Sequence, residues 1–223
     1  GALPFCSEHD HAKRSDTAGW PKNSQTIGLR RPRNTGRSAA SPENPKGGRH
    51  HEPGSMKILV FSDLHRDKVA ARSLVERSGE ADILIGAGDF AVMRHGVDDV
   101  IRILKEVDKP TVLVPGNGES DVELRAACAG WVSAHVLHGE GVELEGVPFY
   151  GIGGGIPVTP FGEWSFDLTE DEADVMLTGC PNDGVLISHS PPYGHVDEDG
   201  GRHLGSHAVL DAIERATPRL VVC

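Results

Sequence analysis

The chain has 223 residues, with 22 Lys+Arg against 33 Asp+Glu and a formal net charge of −11. So acidic a balance argues against a general nucleic-acid coat, which needs a basic face, and no run of 18 apolar residues is present to span a membrane as a helix. At 38% hydrophobic and 25% charged the composition is globular, and the 28 Gly and 15 Pro predict many loops. No charged-then-apolar leader opens the chain, so nothing marks it for secretion. Cys6, Cys128, Cys180 and Cys223 are scattered without CxxC spacing. They are too sparse for a disulfide framework and lack a zinc-ribbon pattern, so a reducing cytoplasm is the expected compartment.

In chain order, the first stretch differs from the rest. Residues 1–55 hold 9 Lys+Arg against 5 Asp+Glu, net +4, while the remainder holds 13 against 28, net −15. Aperiodic Pro, Gly, Ser, Asn and Arg cannot bury enough surface to offset chain entropy, so residues 1–55 are expected to be disordered. Three readings of this basic tail compete: an arm touching phosphate, a tag or linker, or upstream sequence translated by mistake. Met56 directly before KILVFSDLH favours the last, and the ordered domain is expected over residues 56–223.

From Met56 onward apolar runs at 57–61, 82–86 and 111–115 alternate with helical periods near 67–78, 96–107 and 120–129. Ser120 followed by Glu123 fits a capping box. Continuous apolar strands alternating with helices predict βαβ units and a mainly parallel sheet. After residue 130, VSAHVLHG, VELEG and VPFYGIGGG are short strands with turns between them, expected as antiparallel hairpins. A helix near 169–178, a strand at 184–188, a helix near 206–216 and a strand at 219–223 complete an α/β chain with a second sheet.

Polar residues follow the apolar runs. Strand ends lead into Ser62-Asp63-Leu64-His65, Gly86-Ala87-Gly88-Asp89, Gly116-Asn117-Gly118-Glu119 and His189-Ser190-Pro191-Pro192. In open α/β sheets these carboxyl ends share one edge, where ligands bind. A lone Asp there is usually a helix N-cap and a lone Asn a turn residue. Four such coincidences at four strand ends are a poorer account than one site built from Asp63, His65, Asp89, Asn117 and His189. Mixed imidazole and carboxylate donors suit Mn²⁺, Fe or Zn²⁺ and disfavour an all-oxygen Ca²⁺ site. Asp89, with two oxygens, can bridge two ions.

The order SDLH, GAGD, GNGE and SHSPP resembles the calcineurin-like metallophosphoesterases over about residues 56–223. The resemblance implies a two-layer β-sandwich of mixed sheets flanked by helices, and two divalent ions, Mn²⁺ first with Fe, Zn²⁺ or Ni²⁺ as alternatives. It matches Asp63 and His65 to ligands of one metal, Asp89 to the bridge, and Asn117 and His189 to the other. Asp89, Asn117 and His189 are also the expected catalytic residues. Two departures stand out. The chain stops at Cys223, where the family's GHxH motif would begin, so C-terminal strands and two ligands are expected to be missing, with weak metal retention and little turnover. Gly118 replaces the His that many members carry after the Asn, so no general acid stands there; a smaller residue leaves room for a second ester substituent and favours a phosphodiesterase.

The implied chemistry is hydrolysis of a small phosphate ester by water activated between two ions about 3.5–4 Å apart. Monoester or protein phosphatase chemistry, a nuclease and a non-catalytic protein-binding scaffold are the alternatives. The acidic domain ranks nucleic acid low, and no membrane partner is expected. Arg94 and His195 are candidates for substrate binding, against a simpler role as solvated loop residues. Phe161 and Trp164, in the loop at 153–167, either rim the site or pack over the sheet. His135, His138 and His203 are expected at the surface.

Overall fold

The computed structural model describes residues 3–5, 24–30 and 55–223. Its elements in order are β1 (Leu3–Phe5), β2 (Ser24–Arg30), β3 (Ser55–Phe61), α1 (Lys68–Arg77), β4 (Ile83–Gly86), α2 (Val97–Leu104), β5 (Thr111–Leu113), α3 (Asp121–Cys128) and β6 (Ala134–Val136). They continue with β7 (Glu140–Leu144), β8 (Val147–Ile152), α4 (Glu170–Leu177), β9 (Val185–Ser188), β10 (Glu198–Asp199), β11 (Arg202–His203), α5 (His207–Ala216) and β12 (Leu220–Val222). Two five-stranded sheets result, ordered β2-β3-β4-β5-β6 and β1-β12-β9-β8-β7, beside the small β10-β11 ribbon.

Period-2 alternation explains the layering, because successive side chains of a strand face opposite sides of its sheet. On β3, Ile58 and Val60 face the second sheet, where they join Ile83, Ile85 and Val112 against Phe149, Val185, Ile187 and Val222. The alternate residues Leu59 and Phe61 pack outward with Leu84, Leu74, Ile101 and Leu124. Tyr150, Ile152 and Leu186 pack outward from the second sheet onto Leu177 of α4 and Val209 and Ala212 of α5. The order of layers is helices, sheet, sheet, helices. Strands buried on both faces are the reason the apolar runs are continuous.

Helix starts follow their caps. The Ser120 hydroxyl accepts from Glu123 N and the Glu123 carboxylate accepts from Ser120 N at 2.8 Å, closing the expected capping box of α3. Thr169 and Glu172 repeat it on α4.

Three expectations are corrected. β6 is parallel to β5, in register Thr111↔Ala134 to Leu113↔Val136, and so extends the first sheet. The eight residues of α3 provide the crossover that a parallel pair requires; only β7 and β8 form the antiparallel hairpin. The second correction concerns the tail. Residues 24–30 are β2, paired antiparallel with the whole of β3 from Ser24↔Phe61 to Arg30↔Ser55, and residues 3–5 run parallel to β12. Ile27 and Leu29, two apart on one face, pack half-buried on the core between the sheets. Arg77 donates to the Ser24 hydroxyl at 2.8 Å and ties this edge strand to α1. The rest of the expected disordered tail lies outside the described residues. Cys223 is disulfide-bonded, against the sequence expectation, while Cys128 and Cys180 are free thiols. No helix among the described residues is long and apolar enough to cross a membrane.

Deleting residues 1–30 is expected to lower the melting temperature. Half-burial of Ile27 and Leu29 is worth about 1–2 kcal/mol after ordering costs, or roughly 2–8 °C for a domain of this size. An unchanged melting curve would show that β2 adds nothing.

Candidate metal centre

β3, β4 and β5 are mutually parallel, so their carboxyl ends share one edge of the first sheet. The loops leaving them are zipped together by backbone. Asp63 N donates to Gly88 O at 3.0 Å, His65 N to Asp89 O at 2.8 Å and Arg66 N to Phe90 O at 3.0 Å. Asp63 and Asp89 adopt left-handed φ of 54° and 57°, and His65 and Arg66 follow at 44° and 67°. Such conformations cost of order 1–3 kcal/mol each and persist where the surroundings over-determine them.

Close approach dictates the glycines. A Cβ on Gly116 would stand 2.0 Å from Asp89 Oδ1 and 2.2 Å from Asp89 N, so no side chain fits. Gly88 has φ +95°, and a Cβ there would meet His189 Nδ1 at 2.6 Å.

Around Asp89 the donors gather in two groups. His65 Nε2 lies 3.5 Å from Asp63 Oδ1 and 3.7 Å from Asp89 Oδ2. On the other oxygen, His189 Nε2 lies 3.5 Å from Asp89 Oδ1 and 3.4 Å from Asn117 Oδ1. Ligand atoms of Asp63, His65 and Asp89 lie within 4.8 Å of one another, a group able to hold a metal ion. His189 arrives from β9 in the second sheet and its Nδ1 lies 2.9 Å from Ala87 O. A carbonyl only accepts, so Nδ1 carries the hydrogen and Nε2 of the neutral ring presents a lone pair. Asn117 donates Nδ2–H to Ser165 Oγ at 2.9 Å, which leaves Oδ1 facing the centre. Three electron-rich atoms therefore converge on one side of Asp89, and a cation suits them.

Acids and imidazoles also favour one another's charged forms, so a bound cation would take the place of ring protons. Burial raises the Asp63 carboxyl, but the His65 hydrogen bond, the nearby His189 and the Ser62 hydroxyl outweigh it and hold it well below the usual range. The Asp63 hydrogen bond lifts the His65 imidazole, against burial, to about 9. His189 is opposed by burial and raised by the carboxylates of Asp89 and Asp63.

Further residues matter that the motifs alone do not single out. Glu119 is fully buried and accepts Ala91 N and Gly116 N, both at 2.7 Å, while Asp89 Oδ1 accepts Gly118 N at 2.8 Å. These two carboxylates cross-brace the loops after β4 and β5. Burial, then Asp89, push the Glu119 carboxyl up, against its two N–H donors. Its signal lay in GNGE, as an acid two residues from a candidate ligand. Ser165 and the Asp167 it donates to had no sequence signal, because the contact to Asn117 spans 48 residues.

The remaining candidates scatter. Arg94 N donates to Gly118 O at 2.8 Å, and its Nε donates to Glu123 Oε2 at 2.7 Å. It borders the centre, in a tight turn closed by Val92 and His95. His195 is exposed, and no hydrogen bond or ion pair joins its side chain to the five donors. His203 is held by the buried Asp197 at 2.7 Å, and Phe161 stacks on Trp164 with centroids 5.5 Å apart. A Cβ at Gly118 would meet Ala91 O at 3.1 Å and Asp89 Oδ1 at 3.2 Å, which gives this glycine a packing reason as well. His138 is half-buried: its Nδ1 accepts from Gly153 N at 3.1 Å, and its ring leans on Phe166.

The family model for calcineurin-like phosphoesterases matches residues 56–223. The chain belongs to that family. It is 28% identical over 189 residues to UPF0046 protein K07C11.7 of Caenorhabditis elegans, covering 73% of this chain. The chain spans 60% of that relative's length. Its metallophosphoesterase fold matches the crystal structure of TT1561 of Thermus thermophilus, with TM-score 0.61, 24% identity and coverage of 74% of this chain and 80% of that one. A second crystal structure matches with TM-score 0.61 and 18% identity over 74% and 82% of the two chains.

Two outcomes follow from the bracing. Glu119→Gln leaves one of two backbone N–H groups facing an amide NH₂, and is expected to cost about 1–3 kcal/mol, read as a lower urea midpoint. Burial lowers the basicity of His138, and its bond to Gly153 needs an unprotonated Nδ1. The unfolded chain therefore binds the extra proton first, so this contribution is complete above about pH 6.5 and lost as pH falls below it. His138→Asn, which keeps an acceptor but not the proton site, is expected to flatten the melting temperature between about pH 7.5 and 5.5; an unaltered slope would assign the dependence elsewhere.

Proposed function

We propose that this chain hydrolyses phosphate esters at a dinuclear centre, with Asp63 and His65 holding one divalent ion, Asn117 and His189 the other, and Asp89 bridging them. The observation that carries this is the split environment of Asp89: Oδ2 faces His65 while Oδ1 faces His189. Mixed nitrogen and oxygen donors favour Mn²⁺, with Fe, Zn²⁺ or Ni²⁺ as alternatives. When bound, such ions polarise the phosphoryl oxygens and make water a nucleophile near neutral pH.

The chain's own residues set up the rest. Asp89 and Glu119 hold the two loops so that the donors need not reorganise during reaction. Ala87 O fixes the tautomer of His189. Arg94, placed beside Gly118 and anchored through Nε, presents its remaining N–H groups for a phosphate oxygen. No imidazole stands at position 118 to protonate a leaving group, and this supports a diester with a good leaving group over a phosphoprotein. The substrate proposed is a small phosphodiester. Net charge −15 over residues 56–223 speaks against a long polyanion.

The test compares hydrolysis of bis-p-nitrophenyl phosphate and p-nitrophenyl phosphate with Mn²⁺ present. Diester cleavage is expected to dominate and to fall at least about 10³-fold in Asp89→Asn, as for loss of a group acting in the transition state. Monoester preference would overturn the diesterase reading, and an active Asp89→Asn would overturn the centre itself.

A further inference from the structure

We infer that Ser165 and Asp167 act as positioning residues that decide which end of the Asn117 amide faces the metal centre. The inference rests on the reading of Asn117 as a ligand. An amide is nearly symmetrical in shape, and its two orientations differ only in whether oxygen or nitrogen points inward. Only the oxygen has a lone pair to offer a cation. Turned the other way, the NH₂ would face the centre and repel the ion.

The choice is made by a chain of hydrogen bonds of one polarity. A carboxylate such as that of Asp167 can only accept. It accepts Ser165 Oγ–H at 2.7 Å through Oδ1, and Thr159 N at 3.1 Å and Thr159 Oγ1 at 2.9 Å through Oδ2. The single hydrogen of Ser165 is thereby committed to Asp167. Toward Asn117 the Ser165 oxygen has only lone pairs, so it demands a donor, and Nδ2 turns to it at 2.9 Å. Oδ1 is left 3.4 Å from His189 Nε2, on the side where Asp89 Oδ1 also lies. Backbone fixes the same frame, since Phe166 N donates to Asn117 O at 2.9 Å and Leu168 N to Gly155 O at 2.9 Å. Gly155 leaves Asp167 its place: a Cβ there would stand 2.4 Å from Oδ1. The loop after β8 thus reaches across to the first sheet and sets a ligand it does not itself supply.

The arrangement predicts which variants matter. Ser165→Ala removes the acceptor. Asp167→Asn keeps the shape but supplies a donor, which frees the Ser165 hydrogen to turn toward Asn117 and favours the wrong amide orientation. Ser165→Thr keeps the hydroxyl and is the conservative control. Outer-sphere partners of metal ligands typically change affinity by about 10–100-fold.

The experiment titrates each protein with Mn²⁺, following the free-ion EPR signal, beside a thermal melt without metal. The titration is carried to Mn²⁺ concentrations high enough to fill weak sites, where the unaltered chain is expected to take up two equivalents. Ser165→Ala and Asp167→Asn are expected to weaken one of them by about 10–100-fold and leave the other as it was. Ser165→Thr is expected to bind as the unaltered chain does, and His65→Ala to weaken the equivalent that Ser165→Ala spares. If both equivalents survive Ser165→Ala and Asp167→Asn unchanged, or both weaken together, the inference is overturned. Uptake of fewer than two equivalents by the unaltered chain would overturn the dinuclear reading instead.

Discussion

The loops at the ends of β4 and β5 approach so closely that Asp89 Oδ1 occupies the space of a side chain at position 116. That approach is the constraint on which the centre depends. It is held by two carboxylates acting in opposite directions, Asp89 reaching forward to Gly118 N and Glu119 reaching back to Ala91 N and Gly116 N. Each satisfies backbone N–H groups that would otherwise be buried without partners, at a cost of several kcal/mol in total. The pair also sets two carboxyl groups close together in a nearly dry place, and burial together with the neighbouring Asp89 pushes the Glu119 carboxyl up. Fold and chemistry meet in the same few atoms.

Much of this was legible in the residues. Strands buried on both faces write continuous apolar runs, and helices with capping boxes write Ser-x-x-Glu and Thr-x-x-Glu, so the βα rhythm from Met56 onward could be read directly. The five donors were legible for a related reason. Parallel strands bring their carboxyl ends to one edge whatever the loop sequences are, and packing alone gives little reason for acids, amides and imidazoles to collect there. β2 was hidden because an edge strand needs only two apolar side chains, Ile27 and Leu29, within a segment whose composition otherwise reads as loop. The pairing of β6 was hidden because parallel and antiparallel neighbours share the same short apolar pattern.

The supporting residues were the least visible. Ser165 is an ordinary loop serine by sequence, and its value comes from one hydrogen already promised to Asp167. Hydrogen-bond polarity passes between residues far apart in the chain and leaves no periodic trace. Glu119 is intermediate: adjacent to a legible motif, yet its burial and its two backbone donors emerge only in three dimensions. Local patterns report where backbone goes, and side-chain polarity reports what it is for once the backbone is in place.

Four of the five donors leave the first sheet, and His189 leaves the second, spanning the seam to Ala87 O. The centre is therefore closed only while the two sheets keep their present offset. The packed interface of Ile58, Ile85, Phe149 and Ile187 acts as the body of a caliper, and the donors are its jaws. Sliding one sheet over the other by a fraction of an ångström would leave every helix intact and still part His189 from Asn117. Methylenes buried well away from the strand ends are thereby held to the tolerance of a ligand sphere, a tighter demand than stability alone would place on them.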